Sequence, residues 1–146
     1  MSLPPRLLQI TEVFAESPKE FRVQALLDFG SRIPPLPEDL AADRNGLEQV
    51  HECATPFFLA TRVEPDGAVH MFFEAPPESP TVRGFAGILY AGLDGEPADT
   101  VLAVPDDFFY GMGLEEVVTP QRLRGMAAIL ARLKRQVRER LPTPSP

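Results

Sequence analysis

One cysteine, Cys53, is all the thiol chemistry this 146-residue chain holds. A lone thiol closes no internal disulfide, so nothing in the sequence asks for an oxidising compartment. Histidine is nearly as scarce: His51 and His70 are the only two. With a single cysteine they match no common structural zinc spacing, although carboxylates could complete a site. No apolar run approaches the ~20 residues of a membrane span. The first residues, Met1 to Phe14, lack the charged start, apolar stretch and small-residue cleavage site of a signal peptide, which predicts a cytoplasmic protein. There is no phosphate-cradling Walker loop and no G-x-G-x-x-G. By length the chain is expected to form one domain over 1–146, with a loose tail at about 142–146. It is long enough to bury a core without disulfides or metals.

Basic residues are few until the end of the chain. Residues 1–121 carry 20 acidic and 7 basic side chains, a balance of −13; residues 122–146 carry 1 and 7, a balance of +6. The body should repel nucleic acid. The last helix could dock an acidic surface, or it could simply present a solvated basic face near a helix C-terminus, where the macrodipole favours cations.

Proline is abundant, and its 17 copies fall mostly at element boundaries. A short first helix is expected over Leu7–Phe14. Ser17, Pro18 and Glu20 read as a capping box opening a second helix, with Phe21, Ala25, Leu26 and Phe29 on one face and Gly30 at its end. Ile33 to Asp39 is a proline-rich exit, and Ala41–Gly46 reads as a loop. Leu47–Val50 is a short strand candidate. Phe57–Val63 and Ala68–Ala75 are the strongest strands, joined by a hairpin turn through Glu64, Pro65, Asp66 and Gly67. Both of their faces carry apolar residues, which predicts cover on both. Ser79 and Pro80 open a helix lined by Val82, Phe85, Ala86, Leu89 and Leu93, with Gly95 beyond its end. Pro97 starts a shorter one, and Pro105–Leu114 is expected as a turn with one or two helical turns. Thr119 and Pro120 open the last helix, with the stripe Met126, Ile129, Leu130, Leu133 and Val137. Helices, a small antiparallel sheet, then helices again make an α+β two-layer fold.

Cys53 has two readings. Free cysteine is among the most buried residue types, so it could be a small core hydrophobe. Its setting argues otherwise: His51, Glu52 and Pro56 surround it in a connection, and connections run over the surface. Glu52 should disfavour the thiolate, so a cation brought in by the fold would have to compensate. In an extended segment His51 and Cys53 would point to the same side, which leaves a thiol hydrolase with His51 as base conceivable. His70 reads better as a strand histidine with a satisfied hydrogen bond.

Four blocks together resemble the SufE sulfur-acceptor proteins of iron–sulfur cluster assembly. Phe29, Gly30, Ser31, Arg32, Ile33 and Pro34, with Leu36, are similar to the family's L-G-x-R-L-P segment. Val50, Cys53 and Thr55 are similar to its V-x-G-C-x-S loop. Val82, Arg83 and Gly84 are similar to V-K-G at a helix start. Thr119, Pro120, Gln121 and Arg122, with Gly125, are similar to S/T-x-x-R-x-x-G. The chain departs from the pattern around the cysteine: Glu52 replaces a glycine, Phe58 a tryptophan, and Pro76, Pro77 and Glu78 an acidic-serine-acidic stretch. Arg124 stands where the family has a polar residue. It resembles a divergent member.

The resemblance implies a SufE/IscU-like α+β fold. It also implies a carrier that binds a pyridoxal-phosphate-dependent cysteine desulfurase, takes persulfide sulfur onto Cys53, and relays it to an iron–sulfur scaffold complex. Such a protein activates its partner without being an enzyme itself and holds no cofactor. Arg122 would stabilise the thiolate or persulfide; His51, Glu52, Thr55 and Glu78 would modulate the site, with Glu78 pairing with Arg122. Gly30, Gly84 and Gly125 read as packing or cap positions. Pro56, Phe57 and Phe58 would shield the carried sulfur. An adaptor that binds a desulfurase but has lost sulfur transfer remains the alternative.

Overall fold

The last helix organises the molecule. In the computed structural model, which describes residues 3–53 and 56–141, α6 spans Pro120–Arg140. Thr119 caps it by accepting from the Arg122 amide, and Pro120 sits where no amide donor is needed. Its stripe of Met126, Ile129, Leu130, Leu133 and Val137 is fully buried.

That stripe packs on a three-stranded antiparallel sheet in the order β1 (Glu48–Gln49), β2 (Phe58–Val63) and β3 (Val69–Glu74). The register pairs Leu59 with both Glu48 and Phe73, and Thr61 with Met71. Leu59, Thr61, Met71 and Phe73 therefore face the core together, and Glu48 shares their side. On the opposite face Arg44 stacks on Phe58 and Arg62 on Phe72, with ring distances of 5.2 and 5.1 Å. Arg44 also pairs with Glu74, and Arg62 with Asp39. The cover expected on the second face is thus partly a layer of arginine stems. The β2–β3 turn needs Gly67, whose φ of +93° suits glycine.

Helix α4 (Pro80–Leu93) packs against α1 (Pro5–Glu16) and α2 (Lys19–Gly30). Gly84 and Gly87 make the α2 contact possible: a Cβ on either would overlap the carbonyl of Leu26 or Phe29. The end of α4 docks on β3 through Asp94, which accepts from the Met71 amide at 3.0 Å and bonds His70 Nδ1 at 3.2 Å. This is the satisfied strand histidine expected from sequence. Helix α5 (Ala98–Ala103) follows Pro97, and two 3-10 turns occupy Phe108–Met112 and Leu114–Glu116.

Several local readings are corrected. The capping box does not form: Ser17 Oγ donates back to the Val13 carbonyl at 2.7 Å, and Pro18 precedes α2 with no side-chain cap. Phe21 lies 60% exposed, because α2 turns Leu26 and Gly30 inward instead. Arg22 takes the neighbouring inward position and donates to the carbonyls of Phe14 and Ala15 at the end of α1. Ala41–Gly46 is not an open loop: α3 (Glu38–Ala42) follows Pro37, and a 3-10 turn covers Arg44–Gly46. Ser79 precedes α4 as expected, yet its buried hydroxyl has no hydrogen-bond partner among the described residues. The 142–146 tail lies outside the described residues. Among them, no helix is long and apolar enough to cross a membrane.

Candidate functional site

Cys53 sits at the end of a tight turn that leaves β1. Val50 is the last residue aligned with β2, donating to the Phe57 carbonyl at 2.8 Å, and the Cys53 amide folds back onto the Val50 carbonyl at 3.2 Å. The segment is therefore not extended. The geometry on which a His51–Cys53 pair rested is absent, and His51 is exposed.

The turn carries the thiol onto α6. Cys53 Sγ lies 3.9 Å from the Gly125 carbonyl. Gly125 is buried, and a Cβ there would touch Sγ at 3.4 Å. This packing role for Gly125 half-buries the cysteine. Pro56 is exposed, Phe57 fully buried and Phe58 half-buried. Among the described residues the sulfur meets the α6 backbone at Gly125, and Cys53 packs against the buried core.

Burial pushes the Cys53 thiol up to about 11, the Glu52 carboxylate adds to the rise, and Arg132 opposes both. A half-buried thiol beside a carboxylate stays protonated at neutral pH. Arg132 is the residue that sequence reading missed. It lies two helical turns beyond Gly125, on the same side of α6. Its Nη2 donates to Glu52 Oε1 and its Nη1 to Glu48 Oε2, each at 2.8 Å.

Glu48 anchors this arrangement. Its register on β1 points it toward α6, where Gln136 donates at 2.8 Å and Arg135 pairs with it. Burial raises the Glu48 carboxyl, but the donors Gln136, Arg135 and Arg132 outweigh it and hold the group below its ordinary value. Gln136, itself 3% exposed, is fixed in turn by the Thr61 hydroxyl at 3.1 Å. A polar chain thus runs from the sheet through Gln136, Glu48, Arg132 and Glu52 to the residue beside Cys53. A glutamine at the register of a buried stripe, Leu133 and then Gln136, was the signal for it.

Arg122 lies one helical turn before Gly125 on α6. Its Nη1 donates to Thr81 Oγ1 at 3.1 Å, and among the described residues no ion pair joins it to Glu78, which is exposed. Arg122 and Glu78 are therefore not brought together. Thr55 lies outside the described residues. The basic end of the chain is directed largely inward: Arg132 and Arg135 meet Glu48, Lys134 meets Asp106 at 2.7 Å, and Arg140 donates to the Thr61 carbonyl at 2.7 Å. Beside the cysteine loop, Pro56, Phe58, Ala75, Pro76 and Pro77 line an open cleft of about 310 Å³.

Comparison with known proteins gives this geometry a context. The SufE family model, described as an Fe-S metabolism associated domain, matches residues 8–137. An uncharacterized SufE-like protein of Mycobacterium tuberculosis is 46% identical over 138 residues, covering 94% of this chain and 95% of the relative. The solution structure of a hypothetical protein from Thermus thermophilus superposes with a TM-score of 0.85 at 48% identity, covering 94% of this chain and 97% of that one. A more distant relative is the cysteine desulfuration protein SufE of Plasmodium vivax, 24% identical over 90% of this chain and 52% of its own length.

Proposed function

The chain belongs to the SufE family, and from its role in Fe-S metabolism we propose that it is a sulfur acceptor that takes persulfide sulfur onto Cys53. The observation that carries this reading is the seat of the only cysteine: a turn at the sheet edge, half-buried against Gly125, with a cation two turns away. The donor is a cysteine desulfurase, whose own cofactor would be pyridoxal phosphate. The carried sulfur goes on to an iron–sulfur scaffold complex in the cytoplasm.

The transfer is a thiol–persulfide exchange. Cys53 loses its proton to solvent or to the partner. Its thiolate attacks the terminal sulfur of the donor persulfide, a new S–S bond forms on Cys53, and the donor S–S bond breaks. The electron pair leaves on the donor sulfur as a thiolate. The sulfane sulfur changes hosts with no external oxidant or reductant. One cysteine suffices because the exchange is intermolecular, and a second nearby thiol would tend to resolve the persulfide into a disulfide.

One observation favours the alternative. With its thiol pushed up to about 11 by burial and by Glu52, Cys53 is held as the protonated thiol at pH 7. The resting thiol is a poor nucleophile, as an adaptor without sulfur transfer could tolerate. The acceptor reading requires the partner to loosen the turn or supply a cation.

Intact-mass spectrometry after incubation with a cysteine desulfurase and free cysteine separates the two. The expected result is a gain of one sulfur atom, removed by reductant and absent in Cys53→Ser. No gain with several desulfurases, together with undiminished stimulation of one of them by Cys53→Ser, would leave the adaptor.

A further inference from the structure

The guanidinium of Arg132 is held unequally at its two ends. Toward the sheet, Nη1 meets Glu48, a carboxylate that also takes Gln136 and Arg135. Toward the cysteine, Nη2 meets Glu52 alone among the described residues, and the Glu52 side chain is 51% exposed. A half-exposed single pair is the weaker kind, easily displaced by water or by another charge. The Glu48 end therefore fixes where the guanidinium sits, and the Glu52 end can exchange.

Two charged side chains bear on Cys53: Glu52 from its own turn and Arg132 from α6. His51 acts on Glu52, and Glu48 is reached through Arg132. Among the described residues the Gly125 carbonyl also lies close to the sulfur, and it does not favour an anion. We propose that Arg132 is the positioning cation of the cysteine site, anchored by Glu48, holding Glu52 in the resting chain and turning the same N–H edge to the Cys53 sulfur anion once Glu52 is drawn away. The inference rests on Cys53 as sulfur acceptor only for its purpose; the electrostatic coupling stands without it.

The test is iodoacetamide alkylation of Cys53 followed against pH in the full chain. Glu52→Gln removes the competing carboxylate and leaves Arg132 free to face the sulfur. The expected result is a titration midpoint lower by about one pH unit. Because a more acidic thiolate is also a weaker nucleophile, neutral-pH alkylation should rise only roughly threefold. In that background, Arg132→Gln should abolish the downshift, while Arg132→Lys, which keeps the charge, should retain most of it. An Arg132 that merely supports the fold would change rates at every pH through access and leave the midpoint alone. Equal midpoints in Glu52→Gln and Glu52→Gln/Arg132→Gln would overturn the proposal. No desulfurase takes part, so failure here is separate from failure of sulfur loading.

Discussion

Glu48 carries more of the site than its place on a two-residue strand suggests. It is one carboxylate shared by Arg132, Arg135 and Gln136 on the core side of the sheet. Glu48→Gln would leave two guanidinium groups without their common anion. A hydrogen bond to a charged group contributes about 1.5–3 kcal/mol, and partial exposure places this loss near the lower end. Urea unfolding at neutral pH should show it. The pH dependence has a definite sign. The folded Glu48 carboxyl lies below its ordinary 4.5, so its contribution is complete above that value and fades as pH falls through the lower folded one. The stability gap between wild type and Glu48→Gln should therefore narrow below about pH 4.5. A gap that stays constant down to pH 3 would contradict the assignment. At this scale the sequence pointed to Cys53, because it is the only thiol, and to the need for a compensating cation. The family resemblance named Arg122 for that role, and the residues alone did not choose among the cations of the last helix. Arg122 and Arg132 lie on the same basic helix, and only the turn after β1 decides that Glu52 meets Arg132.

Helix α6 was readable from end to end because its signals agree: a threonine cap, a proline start and an unbroken apolar stripe. Thr119→Ala should cost about 1 kcal/mol by removing the acceptor for the Arg122 amide, measured as a lower thermal midpoint. In helix α2 Ala25, Leu26 and Phe29 do pack on the core and only Phe21 departs, because periodicity cannot choose between adjacent faces that both hold apolar residues. Phe21 and Leu26 compete, and the glycines of α4 decide. Gly84 and Gly87 admit the α2 backbone so closely that only the Leu26–Gly30 side fits. Gly84→Ala would drive a methyl into the Leu26 carbonyl. Backbone cannot yield as a side-chain tip can, so the loss should reach the upper end of the ~1–3 kcal/mol seen for overpacked cores. A Gly84→Ala protein with an unchanged midpoint would mean that α2 and α4 are free to separate. The capping box failed for a related reason. Only Ser17 and Pro18 separate α1 from α2, and the serine hydroxyl already serves the end of α1.

Across the whole molecule the opposite charges of body and last helix find each other. The sequence shows −13 against +6 but not that Glu48, Glu52 and Asp106 lie under α6. For Glu48 and Glu52 that juxtaposition depends on contacts more than 70 residues apart, such as Cys53 with Gly125, which no local pattern reports. It also ranks the strength of the parts. Beneath the site lies a core of fully buried Leu59, Met71, Ile129, Leu130 and Leu133. Among the described residues the cysteine turn above it is held by the Cys53–Val50 backbone bond, the Cys53–Gly125 contact and the Glu52–Arg132 pair. Segments with few buried contacts open at lower free energy than the core. Cys53 should therefore become reactive by local opening, well before the fold is lost. Labelling with a small reagent and with a bulky maleimide tests this against urea concentration. The bulky reagent should lag in water, and its rate should climb at urea concentrations where circular dichroism still reports a native fold. If its rate instead rose only with the global transition, the turn would belong to the same cooperative unit as α6. The partner would then have to unfold part of the core to reach the sulfur.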